Sequence, residues 1–140
     1  MTSAERHPLF VATGTEQVPD RPALVGGRCT CGHVFFPMQT YGCEKCGRYG
    51  GHLETTPLAG RGRLIAFAQV HLHARPEPKV PFTVVAVALD DGPIIRALLN
   101  PPVDPELRHG DVMVAEIVSV PREVGTRPTL RLTRNATGGR

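Results

Sequence analysis

The decisive stretch runs Arg28-Cys29-Thr30-Cys31-Gly32-His33-Val34-Phe35-Phe36-Pro37 and resumes at Gly42-Cys43-Glu44-Lys45-Cys46-Gly47. It holds all four cysteines of the chain, as two close pairs separated by eleven residues. That is the layout of a zinc ribbon, in which each pair sits on a tight knuckle and four thiolates converge on one ion. Gly32 follows the first pair and Gly47 the second. Wrapping backbone N–H groups around a thiolate calls for a positive φ, which glycine adopts without steric cost. The first pair is C-x-C, two residues apart, so a disulfide within it would be strained. Cys29, Cys31, Cys43 and Cys46 are therefore the candidate metal ligands. His33 and His52 are spare candidates, read here as ordinary surface residues. Four thiolates leave no open position for a catalytic water, which makes the expected zinc structural. Iron in a redox centre also suits four thiolates, but nothing else in the chain points to electron transfer.

Working outward, the 140 residues suffice for one modest domain with a small appendage. Fifteen glycines and fourteen prolines favour short strands and turns over long helices. The longest apolar run is far below the roughly 18 residues needed to cross a bilayer. Met1–Pro8 is polar and carries Glu5, Arg6 and His7, so no signal-peptide pattern opens the sequence. The expectation is a cytoplasmic protein, off the membrane, whose thiols stay reduced.

Residues 1–27, punctuated by Pro8, Pro19 and Pro22, read as an extended N-terminal arm. Residues 28–50 form the ribbon, with Val34–Phe36 as its central strand. Residues 51–134 read as five strands: Arg63–Leu72, Phe82–Leu89, Ile94–Leu99, Val112–Val120 and Thr129–Thr133. Asp104–His109 reads as one helical turn, capped by Asp104 and closed by Gly110. Five short strands in that order match an OB-fold barrel. Residues 135–140 are a polar, flexible tail, whose Asn135-Ala136-Thr137 sequon is read as accidental. The fold class is mainly β.

Three stretches carry a family resemblance: Leu24-Val25-Gly26-Gly27-Arg28-Cys29, the ribbon from Cys31 to Pro37, and Gly42–Gly47. Downstream, Leu58-Ala59-Gly60-Arg61-Gly62-Arg63-Leu64, Pro81-Phe82, Asp91-Gly92 and His109-Gly110-Asp111-Val112 continue it. Over about residues 22–134 the chain resembles the acyl-CoA-associated proteins that join a rubredoxin-like zinc ribbon to an OB fold. It departs from them in its C-x-C pair and in a proline-punctuated arm where the family has helices. The resemblance implies a non-catalytic accessory subunit that docks on and stabilises a thiolase-like, CoA-dependent enzyme. Such partners include thiolases and lipid-transfer-protein-like aldolases of steroid side-chain breakdown. It implies a two-plus-two assembly, an acyl-CoA thioester as ligand of the complex, and catalytic residues that belong to the partner.

The residues themselves offer no catalytic constellation. The serines are only Ser3 and Ser119, and no nucleophile-elbow, Walker or zincin motif occurs. Gly60-Arg61-Gly62 reads as a flexible lead into the barrel. His71 and His73, two apart, read as a solvated strand face. The proline-stiffened loop from His73 to Pro81 lies where OB folds carry ligand loops. Arg122, Arg127, Arg131, Arg134 and Arg140 stand against the single acid Glu123, which suits either a phosphate contact or a solvated face. The rival reading is a nucleic-acid-binding ribbon and OB fold. Against it count a net charge of only +3 and a barrel whose aromatics, Phe67 and Phe82, read as core.

Overall fold

The computed structural model describes residues 8–135. The first seven residues of the arm lie outside them. So do Arg140, residues 136–139 of the tail and the last two positions of the sequon.

Two antiparallel sheets make the molecule. The first contains β1 (Phe10–Val11), β2 (Ala23–Cys29), β3 (Val34–Phe35) and β4 (Leu53–Leu58). Strand β2 is its spine. β4 runs along β2 from Leu24↔Leu58 to Cys29↔Leu53. Its other edge takes β1 at one end, Phe10↔Leu24, and β3 at the other, Gly27↔Phe35. The central strand is thus β2, not Val34–Phe36, and it begins within the stretch read as arm.

Strand β2 is hard to see in sequence because Gly26 and Gly27 interrupt it, and glycine weakens a strand. Packing demands both. A Cβ on Gly27 would overlap the Phe35 ring and lie 2.7 Å from the Met38 sulfur. One on Gly26 would come 2.6 Å from the Phe35 carbonyl oxygen.

The second sheet contains β5 (Arg61–Val70), β6 (Phe82–Leu89), β7 (Ile94–Leu98), β8 (Val112–Pro121) and β9 (Thr126–Arg134). Their order is β7-β6-β5-β8-β9. A parallel bridge, Leu99↔Leu132, brings the two ends together, and Asn100 N–H donates to the Leu132 carbonyl at 2.9 Å. This is a nearly closed five-stranded barrel of OB type.

Leu64, Val85, Val87, Met113, Ala115 and Leu132 fill its interior, each almost wholly buried. Leu24 from β2 and Leu58 from β4 belong to the same core. Each such leucine contributes about 2 kcal/mol by leaving water. The ribbon sheet is therefore rooted in the barrel by its own strands.

Gly60-Arg61-Gly62 is close-packed rather than flexible. A Cβ on Gly60 would strike the Pro22 carbonyl oxygen, and one on Gly62 the Ala88 carbonyl oxygen. The glycines let β5 pass against its neighbours at contact distance. Between them, Arg61 Nε meets Asp90 Oδ2 at 2.8 Å.

Strand β5 carries a second departure from the sequence reading. Its register against β6 shifts between Leu64 and Ala66, a bulge that breaks the simple alternation of faces. It also ends at Val70, which leaves His71 and His73 in the following loop.

Asp104–His109 forms two successive turns and no helix. Leu107 N–H donates to the Asp104 carbonyl and Asp111 N–H to the Arg108 carbonyl, both at 3.1 Å. The Asp104 carboxylate does take a backbone donor, Glu106 N–H at 2.9 Å, in a side-chain turn. Gly110, at φ +89°, then redirects the chain into β8.

Asp104 also ties this connection to β9. Arg134 Nε donates to its Oδ2 at 2.8 Å, in a pair that is mostly buried. The guanidinium holds the Asp104 carboxyl below the usual carboxylate range, against the opposing effect of burial and with help from Glu106 N–H. Because the folded-state pKa lies below the unfolded one, the contribution is full above the unfolded value, roughly 3.9, and is lost as pH falls through the folded value. Asp104→Asn is expected to lower the melting temperature near neutrality and to flatten its decline between about pH 5 and pH 2. Thermal melts of both proteins across that range check this.

Candidate metal centre

Two knuckles present the four cysteines. In the first, Gly32 N–H donates to the Cys29 carbonyl at 2.8 Å and Cys29 N–H to the His33 carbonyl at 2.9 Å. In the second, Gly47 N–H donates to the Cys43 carbonyl at 2.9 Å and Cys43 N–H to the Arg48 carbonyl at 2.7 Å. Gly32 and Gly47 have φ of +101° and +85°, the left-handed backbone anticipated after each pair. The two turns follow one plan despite the shorter spacing of the first.

The four sulfurs lie within 4.8 Å of one another. Cys29 Sγ is 3.5 Å from Cys46 Sγ, and Cys31 Sγ is 3.8 Å from Cys43 Sγ. A tetrahedral ion with metal–sulfur bonds of about 2.3 Å requires sulfur–sulfur separations of about 3.8 Å. The cluster fits such an ion in size and in donor type. All four cysteines are free thiols, which agrees with a metal and not with two disulfides.

Electrostatics point the same way. Burial opposes the Cys43 thiolate, but the N–H groups of Cys46 and Lys45 and the thiols of Cys29 and Cys31 prevail and bring its pKa down to about 6. Lys45 N–H lies 3.4 Å from the Cys43 sulfur. At Cys46 the Arg48 N–H, 3.5 Å away, favours the thiolate, yet burial and the other three thiols push it up to about 11. The knuckle donors favour negative sulfur, while mutual repulsion prevents all four from ionising together. A dication removes that conflict.

Around the sulfurs, Phe35, Met38 and Leu53 pack with Cys29 and Cys43 in a small apolar cluster. Val25 of β2 lies against it. The spare histidines are engaged elsewhere. His33 Nε2 lies 3.1 Å from Glu44 Oε2 and its ring stacks over Phe35, with centroids 6.2 Å apart. His52 Nδ1 lies 3.3 Å from Thr30 Oγ1.

The other candidates scatter. His73 sets its ring edge against Phe82 and places Nε2 3.2 Å from the Glu77 carbonyl; His71 is exposed. Arg134 is committed to Asp104 and Glu106. Arg131 is half-buried, and desolvation lowers its pKa. Arg122 and Arg127 lie exposed on the β8–β9 hairpin. Phe82 is buried as expected, but Phe67 is 42% exposed. The core reading of Phe67 fails because β8 pairs with β5 only at Arg61–Arg63 and does not cover the strand beyond.

No protein-family model matches the chain. Over 113 residues it is 27% identical to a DUF35 domain-containing scaffold protein of Pyrococcus furiosus, covering 80% of this chain and 79% of that protein. The chain is thus similar to DUF35 proteins in sequence and in fold. Its fold matches a chain of the solved Ltp2-ChsH2(DUF35) aldolase with a TM-score of 0.60 at 24% identity, over 78% of this chain and 84% of that one. The DUF35 likeness spans both ribbon and barrel and bears out the family resemblance read from the two sets of motifs. Among the described residues no helix is long and apolar enough to cross a membrane.

Substituting Cys43 with serine is expected to abolish metal retention and to unfold the two knuckles while the barrel core, with the Leu24 and Leu58 ends of β2 and β4 packed into it, persists. Structural zinc binding is worth roughly 10–16 kcal/mol in zinc-finger peptides. Elemental analysis and amide spectra of the variant check both halves of this expectation.

Proposed function

We propose that the chain is a zinc-holding, non-catalytic subunit of a CoA-dependent enzyme complex of the thiolase-like or aldolase type. The observation that carries the reading is the joint match of ribbon and barrel to a DUF35 scaffold protein and to a chain of an Ltp2-ChsH2(DUF35) aldolase. In this reading Cys29, Cys31, Cys43 and Cys46 hold one zinc, which fastens the ribbon and takes no part in the reaction. Catalytic residues lie in the partner, which performs Claisen, retro-Claisen or retro-aldol chemistry on an acyl-CoA thioester. This chain stabilises the partner and helps shape its CoA site, in a two-plus-two assembly.

Chemistry supports the division of labour. The thiolates that would be the natural nucleophiles converge on one point, where bound metal would silence them. The histidines and arginines are dispersed or engaged in ion pairs.

The test is reconstitution with a thiolase-like protein from the same organism. The partner alone is expected to be unstable or slow with acyl-CoA substrates, and the pair to be stable and active. Equal activity of the partner with and without this chain would overturn the proposal.

A further inference from the structure

Strand β5 outruns its neighbour. Its ladder with β8 stops at Arg63↔Val112. Leu64 then exchanges hydrogen bonds with the turn before β8, donating to the Asp111 carbonyl at 2.9 Å and accepting from Gly110 N–H at 2.8 Å. Beyond that point β5 continues to Val70 against β6 alone, and among the described residues no strand pairs with its other edge. An antiparallel ladder turns every second residue's N–H and C=O away from the partner strand. The stretch Ile65-Ala66-Phe67-Ala68-Gln69-Val70 therefore presents unpaired backbone groups along its free edge.

Its side chains do nothing to blunt that edge. Ile65 and Phe67 are 41% and 42% exposed, and Ala66, Ala68 and Gln69 are exposed as well. No charged residue or proline lies between Arg63 and His71. Natural edges are normally guarded by lysine, proline, inward charge or a covering element, because an open apolar edge templates strand addition. The bulge at Leu64/Ala66 is the single such device here.

The surroundings carry an excess of cations. Arg63, Arg108 and His109 line a common cleft at the base of the edge with Arg134 and Glu106, which pair with each other at 3.2 Å, and the His109 ring meets Phe67 edge-on at 5.8 Å. His71, His73, Arg75 and Lys79 follow in the exposed loop after β5, with Glu77 the one acid among them. Asp111, which also lines the cleft, has its Oδ2 engaged by Arg108 N–H at 2.9 Å.

We propose that the Ile65–Val70 edge docks an extended, apolar segment of a protein partner flanked by carboxylates, which joins β5 as an added strand. Backbone hydrogen bonds supply affinity, and the cationic rim selects acidic flanks. A second copy of this chain is the wrong occupant, because its own β5 edge offers no carboxylates to the rim and brings a second set of cations to it. A base-stacking ligand fits poorly as well, since Phe67 is the one exposed aromatic of the barrel and its ring is already against His109. The proposal does not depend on the thiolase-like identity of the partner.

The test titrates the zinc-loaded full chain, labelled for amide NMR, with a short synthetic peptide of alternating valine and threonine ending in aspartates. Shifts and slowed hydrogen exchange are expected at Ile65–Val70. A lysine-ended version should bind at least about tenfold more weakly. Ala68→Lys should abolish the effect with the remaining spectrum intact. Val124→Lys, on the far β8–β9 hairpin where Val124 is 89% exposed, should leave it unchanged.

Silence at 65–70, equal binding of the two peptides, or concentration-dependent self-protection of those amides would overturn the proposal. So would a response there to oligothymidylate and not to peptide. The titration contains no thiolase-like protein, so its failure and that of the reconstitution are separate results.

Discussion

The meeting of four sulfurs at one point organises the N-terminal half of the molecule. Cys29 closes β2, Cys31 turns the chain towards β3, and Cys43 and Cys46 bring back a segment with almost no regular structure of its own. The apolar cluster there holds only Cys29, Phe35, Met38, Cys43 and Leu53, with Val25 beside it. That is too little burial to order some twenty residues, since fixing each backbone residue costs roughly 1–2 kcal/mol. Backbone N–H groups favour negative sulfur while the sulfurs repel one another, an arrangement that suits a cation held between them. The ribbon is a small fold gathered around a four-thiol cluster fit to hold an ion.

The barrel needs no such help, and β2 joins the two regimes. Its Cys29 end reaches the sulfur cluster, and its Leu24 end is buried with Leu64, Val85, Met113 and Leu132. Gly26 and Gly27 between them let Phe35, Met38 and Leu58 close over the strand. The shared strand fixes the ribbon to the barrel. The β5 edge beyond Leu64 carries no charge up to Val70 and pairs with no other strand among the described residues.

What the sequence disclosed and what it hid follow from the range of the interactions involved. The cysteine spacing and the glycines after each pair are local chemistry, so the knuckles were legible residue by residue. Phe82–Leu89 and Ile94–Leu98 were legible because an apolar run and an Asp-Gly turn write a hairpin into contiguous residues. Strand β2 was hidden because close packing demanded the two glycines that erase a strand's signature. The lead into β5 looked flexible for the same reason, although Gly60 and Gly62 are the tightest of contacts. Asp104–His109 looked helical because an aspartate N-cap and a glycine stop also describe two consecutive turns. The exposure of Phe67 could not be read locally, since it depends on where β8 begins, at Val112, far along the chain. No pattern in β5 itself marks that point.

The central claim is that this ribbon and barrel, holding one zinc, serves as one half of a larger CoA-dependent enzyme. Native mass spectrometry of the chain mixed with a thiolase-like protein of its own organism tests it most directly, because one spectrum reports composition and bound metal together. The account predicts two copies of each chain, with one zinc for every copy of this one. A spectrum showing the two proteins apart, or this chain without metal, would contradict it.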